Sequence, residues 1–371
     1  MRVFHVAGAR PNFMKVAPVV RALEQRGVHV ELVHTGQHYD RDMSSAFFVD
    51  LGMREPDVHL EVGSASHAVQ TARVMERLEP VLLDRNPDLV VVVGDVNSTL
   101  AAALVCAKLD VPVAHVEAGL RSFDRTMPEE INRVLTDQVS ELLFTTSPEA
   151  EANLLREGIA GSRIHFVGNP MIDSLELHLE RARRSDVLDR LGIDEHGYGL
   201  VTLHRPSNVD DPAVLEGLLE AFADLSRRIP IVFPAHPRTT KMIERFGLEH
   251  LTKPADDAVR GVAITEPLGY LDFLRLIAGA RFVLTDSGGI QEETTILGVP
   301  CLTLRSNTER PITIEMGTNK LVGSNPARIK EEADAILSRP SAATQARPPL
   351  WDGKSGERIA DVIVAWGGRP E

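Results

Sequence analysis

Leu89-Val90-Val91-Val92-Val93-Gly94-Asp95 is the stretch from which the architecture can be read. The run does not alternate between apolar and polar residues, as a strand with one wet face would. A short, unbroken apolar run closed by Gly and Asp marks a strand buried on both faces, the condition of a parallel sheet covered by helices. Outward from it the same unit recurs, a short β-branched run followed by an amphipathic helix. In the first half strands are predicted at Val3–Ala7, Val28–His34, Leu89–Gly94, Val113–Val116 and Leu142–Thr145, with helices over Val16–Gln25, Val69–Leu83 and Ser98–Lys108. A second series begins near Met171, with strands at Gly199–Leu203, Ile231–Phe233, Val262–Thr265, Phe282–Leu284 and Cys301–Leu304. Helices over Val214–Arg227 and Tyr270–Ile277 continue it.

Two successive βα series in 371 residues predict an α/β chain of two Rossmann-like, doubly wound domains, because the chain is too long for one ordinary core. The expected boundaries are residues 1–170 for the first domain and 171–353 for the second. A last helix, Gly356–Trp366, carries Ile359, Val362, Ile363 and Trp366 at helical spacing. The polar, Pro-rich stretch before it (SRPSAATQARPP, 338–349) is expected to return residues 354–371 to the first domain.

Composition narrows the function. The net charge of −13 argues against a nucleic-acid partner, since phosphate backbones reward basic patches. No stretch approaches the roughly 20 apolar residues that span a bilayer, so no membrane role is expected. The opening MRVFHVAGARPNF reads as a buried strand and not as a signal peptide. Cys106 and Cys301 lie in apolar contexts and read as core thiols of a reducing, cytoplasmic compartment.

Ligands of open α/β sheets bind outside the carboxyl ends of the strands. Here those ends are polar: Gly8-Ala9-Arg10-Pro11, Asp95, Glu117-Ala118-Gly119, His204-Arg205, His236 and Asp286-Ser287-Gly288-Gly289. Facing sheet ends would make one central cleft. TDSGGIQEE (285–293) opens a helix directly after a strand, which aims backbone N–H groups and a helix dipole at an anion. Glu292 or Glu293 then stands about one turn on, placed to accept from hydroxyls. The plain alternative is a glycine turn with acids that complement the dipole. Arg10 and Lys15 at a helix start are poorly placed against that dipole unless an anion is near, and the same holds for Arg310. Asp95 and Glu117 end buried-looking strands, where an acid is costly unless hydrogen-bonded or employed. Glu129, just after Pro128, reads by itself as a first-turn acid.

Other patterns fail. His34, His38, Asp40 and Asp42 have only loose metal spacing, and no metal is expected. Gly353-Lys354-Ser355 lacks the strand and first glycine of a phosphate loop, and Gly8-Ala9-Arg10 lacks two glycines of a dinucleotide fingerprint. His5 and His115, inside apolar strands, read as satisfied core residues.

Taken together the motifs resemble the non-hydrolysing UDP-N-acetylglucosamine 2-epimerases. The matching segments run in order: GARPNFMKVAPV (8–19), VVVGDVNSTLAAA (91–103), HVEAGLRS (115–122), MPEEINR (127–133), GNPMIDSL (168–175), TLHRPSNVD (202–210), DSGGIQEE (286–293), TERP (308–311) and GTNKLVG (317–323). The resemblance implies a glycosyltransferase-B-like fold and no cofactor. It also implies a UDP-sugar substrate, a homodimer and a place in cell-surface polysaccharide synthesis. Its implied reaction is anti elimination of UDP to a 2-acetamidoglucal, then re-addition after inversion at C2. It makes Asp95, Glu117 and Glu129 the acid/base candidates, reversing the plain reading of Glu129, and His204 a catalytic or diphosphate-contacting residue. Arg10, Lys15, Arg133, His236, Ser287, Gly288, Gly289, Glu293 and Arg310 become substrate contacts.

The chain also departs from the usual pattern. Pro206-Ser207 replaces an Arg-Glu pair, and Ile312 replaces a glutamate. VGSASHAVQTA (62–72) lacks the arginine-bearing stretch that helps regulated bacterial members hold an activating second substrate molecule, although Arg41 and Arg73 lie nearby. The competing readings are a glycosyltransferase of the same architecture, a hydrolysing epimerase, and a non-catalytic sugar-nucleotide sensor.

Overall fold

The computed structural model describes residues 1–36, 48, 50–254, 261–339 and 347–367. His38, Asp40, Arg41 and Asp42, and residues 340–346 of the Pro-rich stretch, lie outside the described residues. The chain divides into two compact units, Met1–Leu177 with Pro349–Glu371, and His178–Pro348.

The first unit is built on a parallel sheet of β1 (Arg2–Ala7), β2 (His29–His34), β3 (Val58–His59), β4 (Leu89–Val93), β5 (Val113–Ala118), β6 (Leu142–Thr145) and β7 (Ile164–Phe166). Their order across the sheet is β3-β2-β1-β4-β5-β6-β7. The second unit repeats the plan with β8 (Gly199–Thr202), β9 (Ile231–Pro234), β10 (Lys253–Pro254), β11 (Val262–Thr265), β12 (Phe282–Thr285), β13 (Cys301–Thr303) and β14 (Asn319–Leu321). Its order is β10-β11-β9-β8-β12-β13-β14, again with parallel pairings. Both sheets are doubly wound, and in each the order turns at the centre, between β1 and β4 and between β8 and β12; in the second, β11 is also inserted between β9 and the edge strand β10. Those reversals open the crevices in which such sheets hold ligands.

Non-alternating strands follow from two-sided cover. In the second unit Val201, Phe233, Phe282 and Leu284 pack in one cluster with Leu215, Leu218, Leu219 and Phe222 of the helix Pro212–Leu225. Their neighbours Leu200, Val232 and Val283 pack in another with Leu276 and Ile277 of the helix Tyr270–Gly279. Cys106 and Cys301 are buried free thiols, pushed by burial to about 12 and about 11.

Two sequence expectations change. The first helix runs over Arg10–Gln25, six residues ahead of its predicted start, so Arg10 is its first residue and Pro11 fills the N-terminal turn where proline is tolerated. It continues through Pro18, which cannot donate to the Met14 carbonyl, and the Ser174 hydroxyl donates to that carbonyl instead. The second change is His5, whose ring nitrogens have no hydrogen-bond partner among the described residues, so it is not a satisfied core histidine. In the sheet His5 pairs with Leu32 and Val91. Burial, helped by the charge of Arg54, lowers its pKa to about 3 and keeps the ring neutral.

The final helix, Ser355–Trp366, belongs to the first unit and packs on the first helix, with Gly356 so close to Pro18 that a Cβ would lie 2.7 Å from its carbonyl carbon. Asp173 accepts from the N–H groups of Ser355 (3.1 Å) and Gly356 (2.7 Å). A side-chain carboxylate thus occupies the helix start at Gly353-Lys354-Ser355, where a phosphate loop would bind its anion.

Candidate functional site

In the first unit the reversal point carries acids held by cations. Glu117 sits at a bulge, since the β5–β6 register shifts between Val116 and Ala118, and its φ is +73°. A non-glycine residue in that region is uncommon and marks a position under constraint. The bulge re-aims the carboxylate, which forms an ion pair with the Lys15 ammonium, both groups being buried. The carboxylate also lies over Gly94. A Cβ on Gly94 would stand 3.3 Å from Glu117 Oε2 and 3.3 Å from Asn12 Nδ2, and Gly94 itself has φ +70°. Asn12 is fixed by donating to the Val93 carbonyl at 2.6 Å.

Asp95 follows Gly94 directly and pairs with the Arg133 guanidinium. Arg133 is 1% exposed, and its other nitrogens donate to Glu130 Oε2 at 2.7 and 3.0 Å. In this geometry Arg133 is a strut between two acids. Glu130 in turn accepts from the backbone of Ser122 (3.0 Å) and Phe123 (2.9 Å). Burial opposes ionisation of Glu130, but the Ser122 N–H, Arg133 and the Phe123 N–H outweigh it and hold the carboxyl below the usual range. Glu129 is half-buried in the first turn of the same helix, Pro128–Val139. The structure thus brings Lys15, Asp95, Glu117 and Arg133 to one place, and Glu129 stands one turn before Arg133 on the same helix.

In the second unit Asp286, at the end of β12 and among the polar strand ends of the sequence, is the anchor of the site. It is fully buried and accepts from the His204 ring at 2.8 Å, the Arg205 N–H at 2.9 Å and the Asn208 amide at 3.1 Å. Burial would raise its pKa, and those donors, His204 first, bring it below the usual range instead. The His204 side chain stays 45% exposed, so its ring is oriented from behind while remaining accessible.

The helix Gly288–Leu297 begins beside it with no side-chain cap and no acid in its first turn, so Glu292 and Glu293 are not dipole-complementing residues. Gly288 is required by Arg310: a Cβ there would overlap the guanidinium and come within 2.7 Å of Glu309 Oε1. Arg310 pairs with Glu292 at 2.8 Å and with Glu309, and Glu309 also holds Arg305 at 2.7 Å. Glu293 is buried beside Glu292, and desolvation with that neighbouring charge raises its pKa to about 8. Ser287 N–H donates to the Thr285 hydroxyl at 3.0 Å. His236 is exposed and caps the helix Pro237–Phe246, its Nδ1 accepting from the Arg238 N–H at 3.2 Å. Gly289 is half-buried in the first turn after Ser287.

Asn12, Glu130, Asn208 and Glu309 were missed in the sequence because each adjoins or serves a residue with a plainer signal. The stretch from Gly63 to Thr71 is occupied with its own fold: Ser66 caps the helix His67–Arg85, and Gln70 donates to the Gly63 carbonyl at 3.3 Å. Among the described residues no cluster of metal-ligating side chains occurs, and no helix is long and apolar enough to cross a membrane.

Known proteins resemble this chain over almost its whole length. A UDP-N-acetylglucosamine 2-epimerase of Methanocaldococcus jannaschii is 43% identical over 98% of this chain and 99% of its own. A UDP-2,3-diacetamido-2,3-dideoxy-D-glucuronate 2-epimerase of Pseudomonas aeruginosa is 42% identical over 98% and 99%. The crystal structure of the Methanocaldococcus jannaschii UDP-GlcNAc 2-epimerase in complex with UDP-GlcNAc and UDP has a TM-score of 0.90 at 43% identity, covering 98% of this chain and 100% of that one. The sequence profile of the UDP-N-acetylglucosamine 2-epimerases matches residues 21–364. With its doubly wound units and this relationship running nearly end to end, the chain belongs to the UDP-N-acetylglucosamine 2-epimerase family of isomerases.

Proposed function

We propose that the protein interconverts UDP-N-acetylglucosamine and UDP-N-acetylmannosamine as a cytoplasmic homodimer, without a cofactor. The observation that carries this reading is the pair of acids at the β4 and β5 ends, with the Glu117 carboxylate lying over Gly94 next to Asp95. A carboxylate takes the C2 proton, the C2–H electron pair becomes the C1–C2 double bond, and UDP leaves with the C1–O electrons. UDP then returns to C1 of the 2-acetamidoglucal while a proton is delivered to the other face of C2. The C2 proton is weakly acidic, so departure of the diphosphate has to be stabilised by preorganised donors. In this reading His204, His236, Ser287, Gly288, Gly289 and Arg310 face the nucleotide and Glu293 its ribose. Arg10 and Lys15 serve the diphosphate. Asp95, Glu117 and Glu129 share the proton transfers, each within the range of general acid–base catalysis.

The near-equal identity to the Pseudomonas aeruginosa relative supports a second sugar, a 2,3-diacetamido uronate, handled by the same chemistry at C2. Both nucleotide sugars are therefore to be incubated separately in D2O and followed by NMR. Deuterium is expected at C2 of both epimers of the true substrate. Epimers that keep their C2 proton would rule out this elimination, and turnover of the diacetamido uronate alone would reassign the sugar.

A further inference from the structure

The most deeply buried charge of the first unit has no part in the reaction just described. Asp137 is 0% exposed on the helix Pro128–Val139. Its Oδ1 lies 2.6 Å from His115 Nδ1, while its Oδ2 accepts from the Gly119 N–H at 3.1 Å and from Arg121 Nη2 at 2.7 Å. The other ring nitrogen of His115 is 2.8 Å from the Gly94 carbonyl oxygen. Arg121 is held in turn by Glu157 at 2.6 and 2.8 Å. Burial raises the Asp137 pKa, but His115 and Arg121 more than offset this and keep the carboxyl below its usual range.

The network ends on two backbone groups, and their positions are informative. Gly94 immediately precedes Asp95, and Gly119 stands two residues after Glu117. Three residues along this path have left-handed backbone: Gly94 at φ +70°, Glu117 at +73° and Gly119 at +79°. Glycine adopts that region freely, whereas a glutamate is held there only when its surroundings over-determine it. Gly119 is itself fixed from the other side, since a Cβ there would run into the Ala150 carbonyl group. A buried ionic network is a poor source of stability compared with apolar packing, but it fixes geometry sharply.

We propose that Asp137 is a positioning residue for catalysis. Through His115 to the Gly94 carbonyl, and directly to the Gly119 N–H, it locks the two backbone turns that set the Asp95 and Glu117 carboxylates beside one another. The proposal rests on the reading of those two acids as proton-transfer groups.

Asp137→Asn tests it with little change of volume. Three donors converge on the carboxylate; the amide carries no charge to hold them, and its NH2 faces either His115 Nδ1, which must then turn from donor to acceptor, or the Gly119 and Arg121 donors. The variant is expected to lose about 10²-fold in kcat, the scale on which small misplacements of reacting groups act. KM should stay within about threefold, the signature of an interaction expressed in the transition state. In a Glu117→Gln background the same change should cost less than it does alone, because one of the two groups being positioned is already disabled. The measurements are kcat and KM for both singles and the double, with folded content checked by circular dichroism. Wild-type kcat in Asp137→Asn, or a loss that multiplies in full on top of Glu117→Gln, overturns the proposal. Wild-type turnover in Glu117→Gln alone instead overturns the assignment of Glu117. Should Asp137→Asn not fold, His115→Gln leaves the Arg121 and Gly119 bonds of Asp137 in place while loosening the Gly94 end. It is expected to show the same kcat-only loss at about tenfold, and unchanged kcat there overturns the proposal equally.

Discussion

In the first unit the crevice at the strand reversal is lined by acids, each answered by a buried cation: Glu117 by Lys15, and Asp95 by Arg133. In the second unit the equivalent crevice starts with an accessible histidine on a buried aspartate. It continues into a dense cluster in which Arg305 and Arg310 are interleaved with Glu292, Glu293 and Glu309. In both, the first strand of the unit lies at the sheet centre and the order turns beside it, although the outer strands differ, since β11 is inserted between β9 and β10 in the second. The fold therefore chooses where a site lies, while the residues at the strand ends choose its chemistry. In the proposed function, acids serve proton transfer in one unit, and cations with helix N–H groups serve anion binding in the other.

The largest expected effects divide along that line. Asp95→Asn and Glu117→Gln keep shape and remove the base, so kcat should fall by roughly 10²–10⁴ with little loss of UDP affinity. Arg310→Ala should act instead on the second unit's stability. It takes the Arg310 cation from Glu292, which is fully buried, and removing one partner of a buried ion pair costs about 3–5 kcal/mol. Urea unfolding and steady-state kinetics on the same preparations separate the two. A stable Arg310→Ala variant would show that the acidic cluster does not depend on that cation, and the contrast drawn here would fail.

A smaller pair of changes sharpens the comparison. Gly288→Ala pushes a methyl into the Arg310 guanidinium, an overpacking of about 1–3 kcal/mol. It should weaken the protection that UDP gives against thermal unfolding. Gly94→Ala places an L-residue at φ +70° against Glu117 and Asn12, with a backbone cost of about 1–2 kcal/mol. That variant should keep its UDP-induced shift and lose turnover. The reverse pattern would exchange the roles of the two units.

The smallest effect is one of pH, and Glu293 of the second unit runs opposite in sign to Asp137 and Glu130 of the first. Glu293 is raised from 4.5 to about 8 in the fold, so the native state binds a proton that the unfolded chain releases. Its contribution is complete below pH 4.5 and is lost as pH rises through about 8, with a slope of at most about 1.4 kcal/mol per pH unit. Asp137 and Glu130 are held below the usual range, so their contribution is present above it and is lost as pH falls through their folded values. Urea midpoints between pH 5.5 and 8 should fall less steeply in Glu293→Gln than in wild type. Identical slopes would mean that Glu293 does not carry that proton.

Much of the plan was legible before any coordinates because backbone periodicity is local. Runs such as Leu89–Val93 declare a two-sided strand, and each of the ten predicted strands corresponds to one observed. The four not foreseen, β3, β7, β10 and β14, are the edges of the two sheets. They are two or three residues long, too short to show a period. Asp95, Glu117 and Arg310 stood out because an acid at a buried strand end, or a cation near a helix start, needs a reason to be there. Their partners did not stand out. Glu130 hides beside Glu129, Glu309 beside Arg310, and Asp137 looks like any polar residue of an amphipathic helix.

The sequence by itself determined the strand–helix alternation, the doubly wound class and the residues that end the strands, since each depends on neighbours within a few positions. Only the tertiary structure decided which strand ends meet, that Lys15 reaches Glu117 across 102 residues of chain, and that Asp137 ties Gly94 to Gly119. Pairings of that kind are set by the order of strands in the sheet and by the exclusion of water around buried charges, and neither leaves a local trace along the chain.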